Sequence, residues 1–188
     1  MQKCRTGQFG LDEVNNRINS ILQKSGIAGE RRLANGTRLV EPAPDIGQKA
    51  WRHLAFASLD DEELSKLEHE LRQRLPPQLK MFFRKHNGIS LFGNEINIWG
   101  KRSNFVRSGD DIWQPFDIVR HNNPSERPRS CPYSIVFFGS TNQGEKWVFF
   151  SPDAGSIGKT SRTRYQPEQS WPDFNSWLLD ELAVYDHG

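Results

Sequence analysis

RLPPQLKMFFRKHNGISLFG, residues 74–93, is the stretch whose reading decides the fold. Pro76 and Pro77 stop one helix and start the next, because proline has no N–H and is tolerated only in a first turn. Leu79, Phe82 and Phe83 recur at helical spacing and predict a buried face. Asn87-Gly88 supplies the left-handed conformations that finish a helix. From Ile89 the period changes. Ile96 and Ile98 alternate with polar neighbours, which predicts a half-buried strand.

Working upstream, Leu64, Leu67 and Leu71 form one apolar stripe, so a second helix precedes the prolines. Ser58, three residues before Asp61, is its expected cap. The acids Asp60, Asp61, Glu62 and Glu63 suit the positive end of its dipole. Leu11, Val14, Ile18, Ile21 and Leu22 predict a further amphipathic helix, with Gly26 as a stop. Residues 26–50 are rich in Gly, Pro and charge and read as a connector. Within it, RLANGTRLV permits a small hairpin at Asn35-Gly36.

Downstream lie two strong strands, SIVFFG (134–139) and KWVFFS (146–151), joined by the hairpin loop STNQGE. A turn at Pro152-Asp153-Ala154-Gly155 leads to a polar edge strand over residues 156–165. Such short connections require antiparallel pairing. SWPDFNSWLLDELAVY closes the chain as a helix, with Ser170 as cap, Pro172 in the first turn and Asp173 completing a capping box. Phe174, Trp177, Leu178 and Leu182 share its face, and Phe82, Phe83, Trp177 and Leu178 are the expected heart of the core. The order predicts an α+β fold, helices packed against a mainly antiparallel sheet, with an N-terminal helical extension. Residues 1–54 read as the N-terminal helix and connector, and 55–188 as the α+β domain.

The chain of 188 residues is 26% charged and 35% hydrophobic, with 6 Trp and 12 Phe. That composition fits a globular domain with an aromatic-rich core. No apolar run approaches the ~20 residues that span a bilayer, and the N-terminus lacks the apolar centre of a secretory signal. A cytoplasmic protein acting in solution is the expectation, with no membrane contact. Cys4 and Cys131 then read as free thiols. A net charge of +2 gives no broad basic surface, and direct nucleic-acid binding is not expected.

Chemistry-bearing motifs fail their context. Residues 153–160, DAGSIGKT, end like a phosphate-binding loop, but Asp153 replaces its first glycine and no amphipathic helix follows Thr160. Residues 139–146, GSTNQGEK, lead into a strand instead of a helix. No G-x-S-x-G elbow is present. The histidines at 53, 69, 86, 121 and 187 are dispersed, and His69 between Glu68 and Glu70 has no partner at i+4 spacing. The pairs Glu68/Glu70 and Asp110/Asp111 read as solvated runs. No catalytic constellation, metal or cofactor is expected. Charge is segregated: Lys159, Arg162, Arg164 and Tyr165 make one basic stretch, and Lys101, Arg102 and Arg107 another. Residues 60–70 and 168–188 are acidic. Segregation in both signs suits a surface for one protein partner.

LEHELRQRLPPQLKMFFRKHNGI resembles the SUKH (Smi/Knr-like) superfamily, through Glu68, Leu75-Pro76, Leu79, Phe82, Phe83 and Asn87-Gly88. The central Ile-Val-Phe-Phe strand, the glycine hairpin, a polar strand opened by Asp-x-Gly, and Phe174-x-x-Trp177-Leu178 follow in the family's order. The resemblance covers about residues 55–185. It implies helices on a mainly antiparallel sheet and a non-catalytic role. Bacterial members are immunity proteins that neutralise toxins, often nucleases, by stoichiometric binding. A fungal branch regulates cell-wall synthesis and stress signalling. The expectation is therefore an immunity protein whose partner is a cognate toxin. The alternatives are a regulatory scaffold in cell-wall or stress signalling, or a divergent enzyme or nucleotide binder using Gly158-Lys159-Thr160. Expected partner contacts are Asp60, Asp61, Glu62 and Glu63 on one acidic face, Asp173, Asp180, Glu181 and Asp186 on another, and Trp99 with Arg102 after the first core strand.

Overall fold

The computed structural model describes residues 3–106 and 109–185, with side chains from residue 10 onward. The Cys4 side chain, Arg107, Asp186 and His187 lie outside the described residues. The described residues form five α-helices and nine strands. The helices are α1 (Lys3–Ser25), α2 (Asp61–Leu71), α3 (Pro77–Phe83), α4 (Ile118–His121) and α5 (Phe174–Tyr185). The strands are β1 (Glu30–Arg32), β2 (Arg38–Pro42), β3 (Trp51–Ala55), β4 (Ile89–Leu91), β5 (Ile96–Ile98), β6 (Val136–Thr141), β7 (Lys146–Ser151), β8 (Ser156–Ser161) and β9 (Gln169–Trp171). Every strand pairs antiparallel with its successor, so one sheet runs β1 to β9 in sequence order. The α+β reading holds.

The opening stretch folds as its punctuation requires. Pro77 begins α3, and Leu79, Phe82 and Phe83 are fully buried. Phe82 meets Phe174 of α5 with ring centroids 5.4 Å apart, and Trp177 meets Phe138 of β6 at 5.3 Å. Glu68 holds the α2–α3 turn, accepting from the Leu75 N–H at 2.8 Å while Lys80 approaches at 3.2 Å. Asn87-Gly88 does more than end a helix. The Asn87 amide donates to the Lys101 carbonyl at 2.7 Å and accepts the Lys101 N–H at 2.6 Å. Gly88 has φ +88, and a Cβ there would lie 2.5 Å from the Ile98 carbonyl oxygen. Only glycine fits such a close backbone approach.

Register sorts the two faces of the sheet. Ile89, Ile98, Gly139, Val148 and Lys159 form one cross-strand row. Lys159 reaches Glu181 of α5, so this row faces the helices. Because alternate residues point to opposite faces, the neighbouring row of Ser90, Asn97, Ser140, Trp147 and Thr160 faces away from α5. Residues 99–135 cover that second face, with Trp99 and His121 against Trp147.

Several local expectations are corrected. Residues 26–50 hold two strands of the main sheet, with the expected Asn35-Gly36 hairpin joining them. β5 is buried on both faces, Asn97 included, because residues 99–135 roof its polar side. The α2 cap is Asp60, which accepts from the Glu63 N–H while the Glu63 carboxylate accepts from the Asp60 N–H. Ser58 lies two residues too early for that exchange. The expected edge strand ends at Ser161 and is interior, because Gln169–Trp171 pairs outside it. Ser170 belongs to that strand, and Asp173 caps α5 by accepting from the Ser176 N–H at 2.9 Å.

Candidate functional site

The two acidic faces are largely occupied by the protein's own structure. Asp60 and Glu63 close the α2 capping box. Asp61 pairs with Arg84 at 2.7 Å, and Glu62 with Lys66 at 2.6 Å. On α5, Asp173 caps the helix, and Asp180 accepts from the Trp171 indole N–H at 2.7 Å. Glu181 is buried and pairs with Lys159 at 2.6 Å. Trp99 is only 2% exposed and stacks on His121 with centroids 4.1 Å apart. Burial thus assigns Trp99 and Glu181 to the interior, while the other acids stay at or near the surface.

A different surface has the make-up of an interface. Residues 100–106 and 109–117 belong to a loop without helical or strand period, fastened at several points. The Asn87 amide holds its start, and the Gly100–Asp117 bridge closes its ends. Inside it, the Gln114 carboxamide accepts from Ser103 N–H and hydroxyl at 2.9 Å and donates to Asn104 at 2.6 Å and to the Asp111 carbonyl at 2.7 Å. The sheet edge reaches over: Arg31 grips Asp110 with both carboxylate oxygens at 2.8 and 3.0 Å. The Asn35 amide and Thr37 hydroxyl donate to the Trp113 carbonyl. On this frame stand Phe105, 67% exposed, Phe116, 50% exposed, and the exposed Val106 and Ile112. Half of the exposed large apolar side chains among the described residues therefore share one loop.

Beside the loop, a cavity of about 390 Å³ separates it from α2, with Glu63, Glu70, Lys101, Arg102 and Trp113 in its wall. It brings together Glu63 and Arg102 of the ten expected contact residues; seven others lie outside its wall, and Asp186 lies outside the described residues. Arg102 also lies over the Phe105 ring, 5.1 Å from its centroid. Apolar anchors beside a mixed-charge groove are the composition of a protein interface, where aromatic and Arg side chains carry most of the energy. The apolar members were missed in the sequence because periodicity carries no signal here. The usable signal was Phe105, Ile112, Trp113 and Phe116 within an otherwise polar stretch.

The groups of catalytic or phosphate-binding type have structural partners. The His53 Nδ1 accepts from the Phe92 N–H at 3.3 Å, which places the ring hydrogen on Nε2. Nε2 therefore donates toward the Ser25 hydroxyl at 3.1 Å and cannot take its proton. Burial pushes His53 down to about 4, so the ring is neutral at pH 7. In the phosphate-loop lookalike, Lys159 is held by Glu181, Thr160 is fully buried, and Gly158 lies under the Phe149 ring. Among the described residues no three His, Cys, Asp or Glu side chains converge as a metal site, and no helix is long and apolar enough to cross a membrane.

The sequence model of the SMI1 / KNR4 family (SUKH-1) matches residues 58–180. That span runs from just before the α2 cap into α5 and includes the 100–117 loop. No curated protein matches the chain.

Proposed function

The chain belongs to the SMI1 / KNR4 family (SUKH-1), and from that premise we propose that it is an immunity protein that binds and neutralises a cognate toxin domain. The family includes toxin immunity proteins, and stoichiometric binding needs a surface rather than an active site. One observation carries the reading: Phe105, Val106, Ile112 and Phe116 are exposed on a loop tied down at both ends. Apolar side chains on a pre-ordered frame lose little entropy on association. In this reading the protein acts in the cytoplasm, without catalysis. The groove residues Glu63, Lys101 and Arg102 supply charge complementarity at the rim, with Asp60, Asp61 and Glu62 steering the approach.

The test is recovery of the tagged protein from lysate of its own organism, read by mass spectrometry, beside a Phe105→Asp/Phe116→Asp variant. The expected result is one toxin, or its C-terminal domain, at near-equal stoichiometry with the native chain and lost with the variant. A toxin retained by the variant would move the interface elsewhere. Recovery of signalling or wall-synthesis proteins in its place would overturn the immunity assignment.

A further inference from the structure

The sheet face turned away from α5 carries a second cavity, about 400 Å³, bounded by the β4–β5 turn, the β6–β7 hairpin and α4. Its volume falls within the range of small-molecule sites. Register builds its floor, because Asn97 pairs with Ser140 and Ser140 with Trp147. Asn97 is 2% exposed, and its Nδ2 donates to the Asn94 carbonyl at 2.8 Å. Its Oδ1 is buried without a hydrogen-bond partner. Buried acceptors are nearly always satisfied, so the floor calls for a donor.

A second acceptor stands in the wall. The His121 Nδ1 lies 2.7 Å from the Asp117 carbonyl oxygen, so Nδ1 carries the hydrogen and Nε2 keeps its lone pair. Burial lowers the pKa of this ring and holds it neutral. Stacking on Trp99 and edge contacts with Trp147 and Phe116 fix its plane. Phe116 is half exposed and gives the cavity an open aromatic face. Arg162 is exposed in the same wall, its guanidinium 5.6 Å from the Trp147 ring centroid. No Asp or Glu lines the cavity. The arrangement offers neutral acceptors within, aromatic surface beside them, and a cation in a wall free of carboxylates.

We propose that this cavity binds a nucleoside monophosphate, a flat base with an N–H donor edge toward Asn97 and His121 and a phosphate on Arg162. The pairing is specific in its logic: a donor edge meets the two acceptors, the ring meets Phe116, and the anion meets the guanidinium. The site is separate from the phosphate-loop lookalike at residues 153–160; it shares Phe116 with the proposed toxin surface but not its other exposed apolar residues.

Isothermal titration calorimetry of the full chain with AMP tests the assignment. Saturable binding is expected, at least tenfold weaker for ribose 5-phosphate, which lacks the base, and for adenosine, which lacks the anion. Arg162→Gln, at an exposed position, should weaken AMP at least tenfold while leaving the thermal midpoint of the ligand-free protein unchanged. Absence of binding heat with millimolar AMP, CMP and GMP overturns the proposal. Ribose 5-phosphate binding as tightly as AMP also overturns it, because the cavity would then read an anion only. A 5′-phosphorylated trinucleotide binding at least tenfold tighter than AMP would replace the mononucleotide by the end of a nucleic-acid strand.

Discussion

Lys159 of β8 and Glu181 of α5 meet at 2.6 Å, with side chains only 17% and 6% exposed. This pair fastens the closing helix to the sheet, and the Lys159 ammonium also lies 5.3 Å from the Trp171 ring centroid. Removing one partner leaves the other charge buried and unpaired. Glu181→Gln or Lys159→Met should each cost about 3–5 kcal/mol. The Lys159→Met/Glu181→Leu double variant should lose less than either single change. Urea unfolding of the four proteins measures the difference, and additive losses would remove the pair from this role.

The α2 cap offers a paired comparison. Asp60→Ala should destabilise by about 1 kcal/mol, because it deletes the acceptor for the Glu63 N–H. Ser58→Ala should stay within about 0.5 kcal/mol, since a surface change away from such features costs little. Thermal melts of the two variants decide between the residues.

Acid should weaken the fold above the range in which carboxylates titrate. His53 and His86 are each lowered to about 4, mainly by burial, from an ordinary value of 6.5. Between those limits the unfolded chain binds protons that the native rings refuse, so stability is complete above pH 6.5 and falls toward pH 4. Each ring can contribute up to about 3 kcal/mol to that loss. Urea midpoints at pH 7, 5.5 and 4 follow it, and His53→Gln should flatten the slope. A flat profile in the native protein would mean that the rings titrate normally.

Gly88→Ala should destabilise by well over about 1 kcal/mol, because it combines a positive φ with a Cβ against the Ile98 carbonyl. Gly155→Ala has a positive φ but open space around it, so it reports the backbone cost alone. The gap between the two denaturation midpoints measures the close approach at β5.

Much of this architecture could be read from residue order. Leu64, Leu67 and Leu71, the prolines, and the β7 run KWVFFS declare themselves because one face of each element is apolar. β1 could not be read that way: Glu30, Arg31 and Arg32 are all exposed, so no alternation marks a strand held by backbone pairing and by ion pairs to Arg38 and Asp110. β9 is three residues long and mostly exposed, for the same reason. Asn97 looked like the polar side of a half-buried strand, and only the roof over it makes it interior. The candidate site was legible only in Glu63 and Arg102. Glu181 looked like a surface acid because the sequence does not place Lys159 across from it. Phe105 and Phe116 carry no periodic signal, since their exposure depends on the hydrogen bonds that hold residues 100–117 in place.

Because every strand of the sheet pairs with the next in sequence, the long segment between β5 and β6 leaves and re-enters through adjacent strands. The chain leaves β5 at Ile98 and comes back opposite it at Gly139, so these two points stay about one strand spacing apart, near 4.8 Å. Closure entropy grows only slowly with length. A segment of different size or composition could therefore be spliced between the same two points without changing the strand order. In the proposed reading, recognition specificity becomes a replaceable cassette on an unchanged chassis, and two such proteins could share a core while reading unrelated partners.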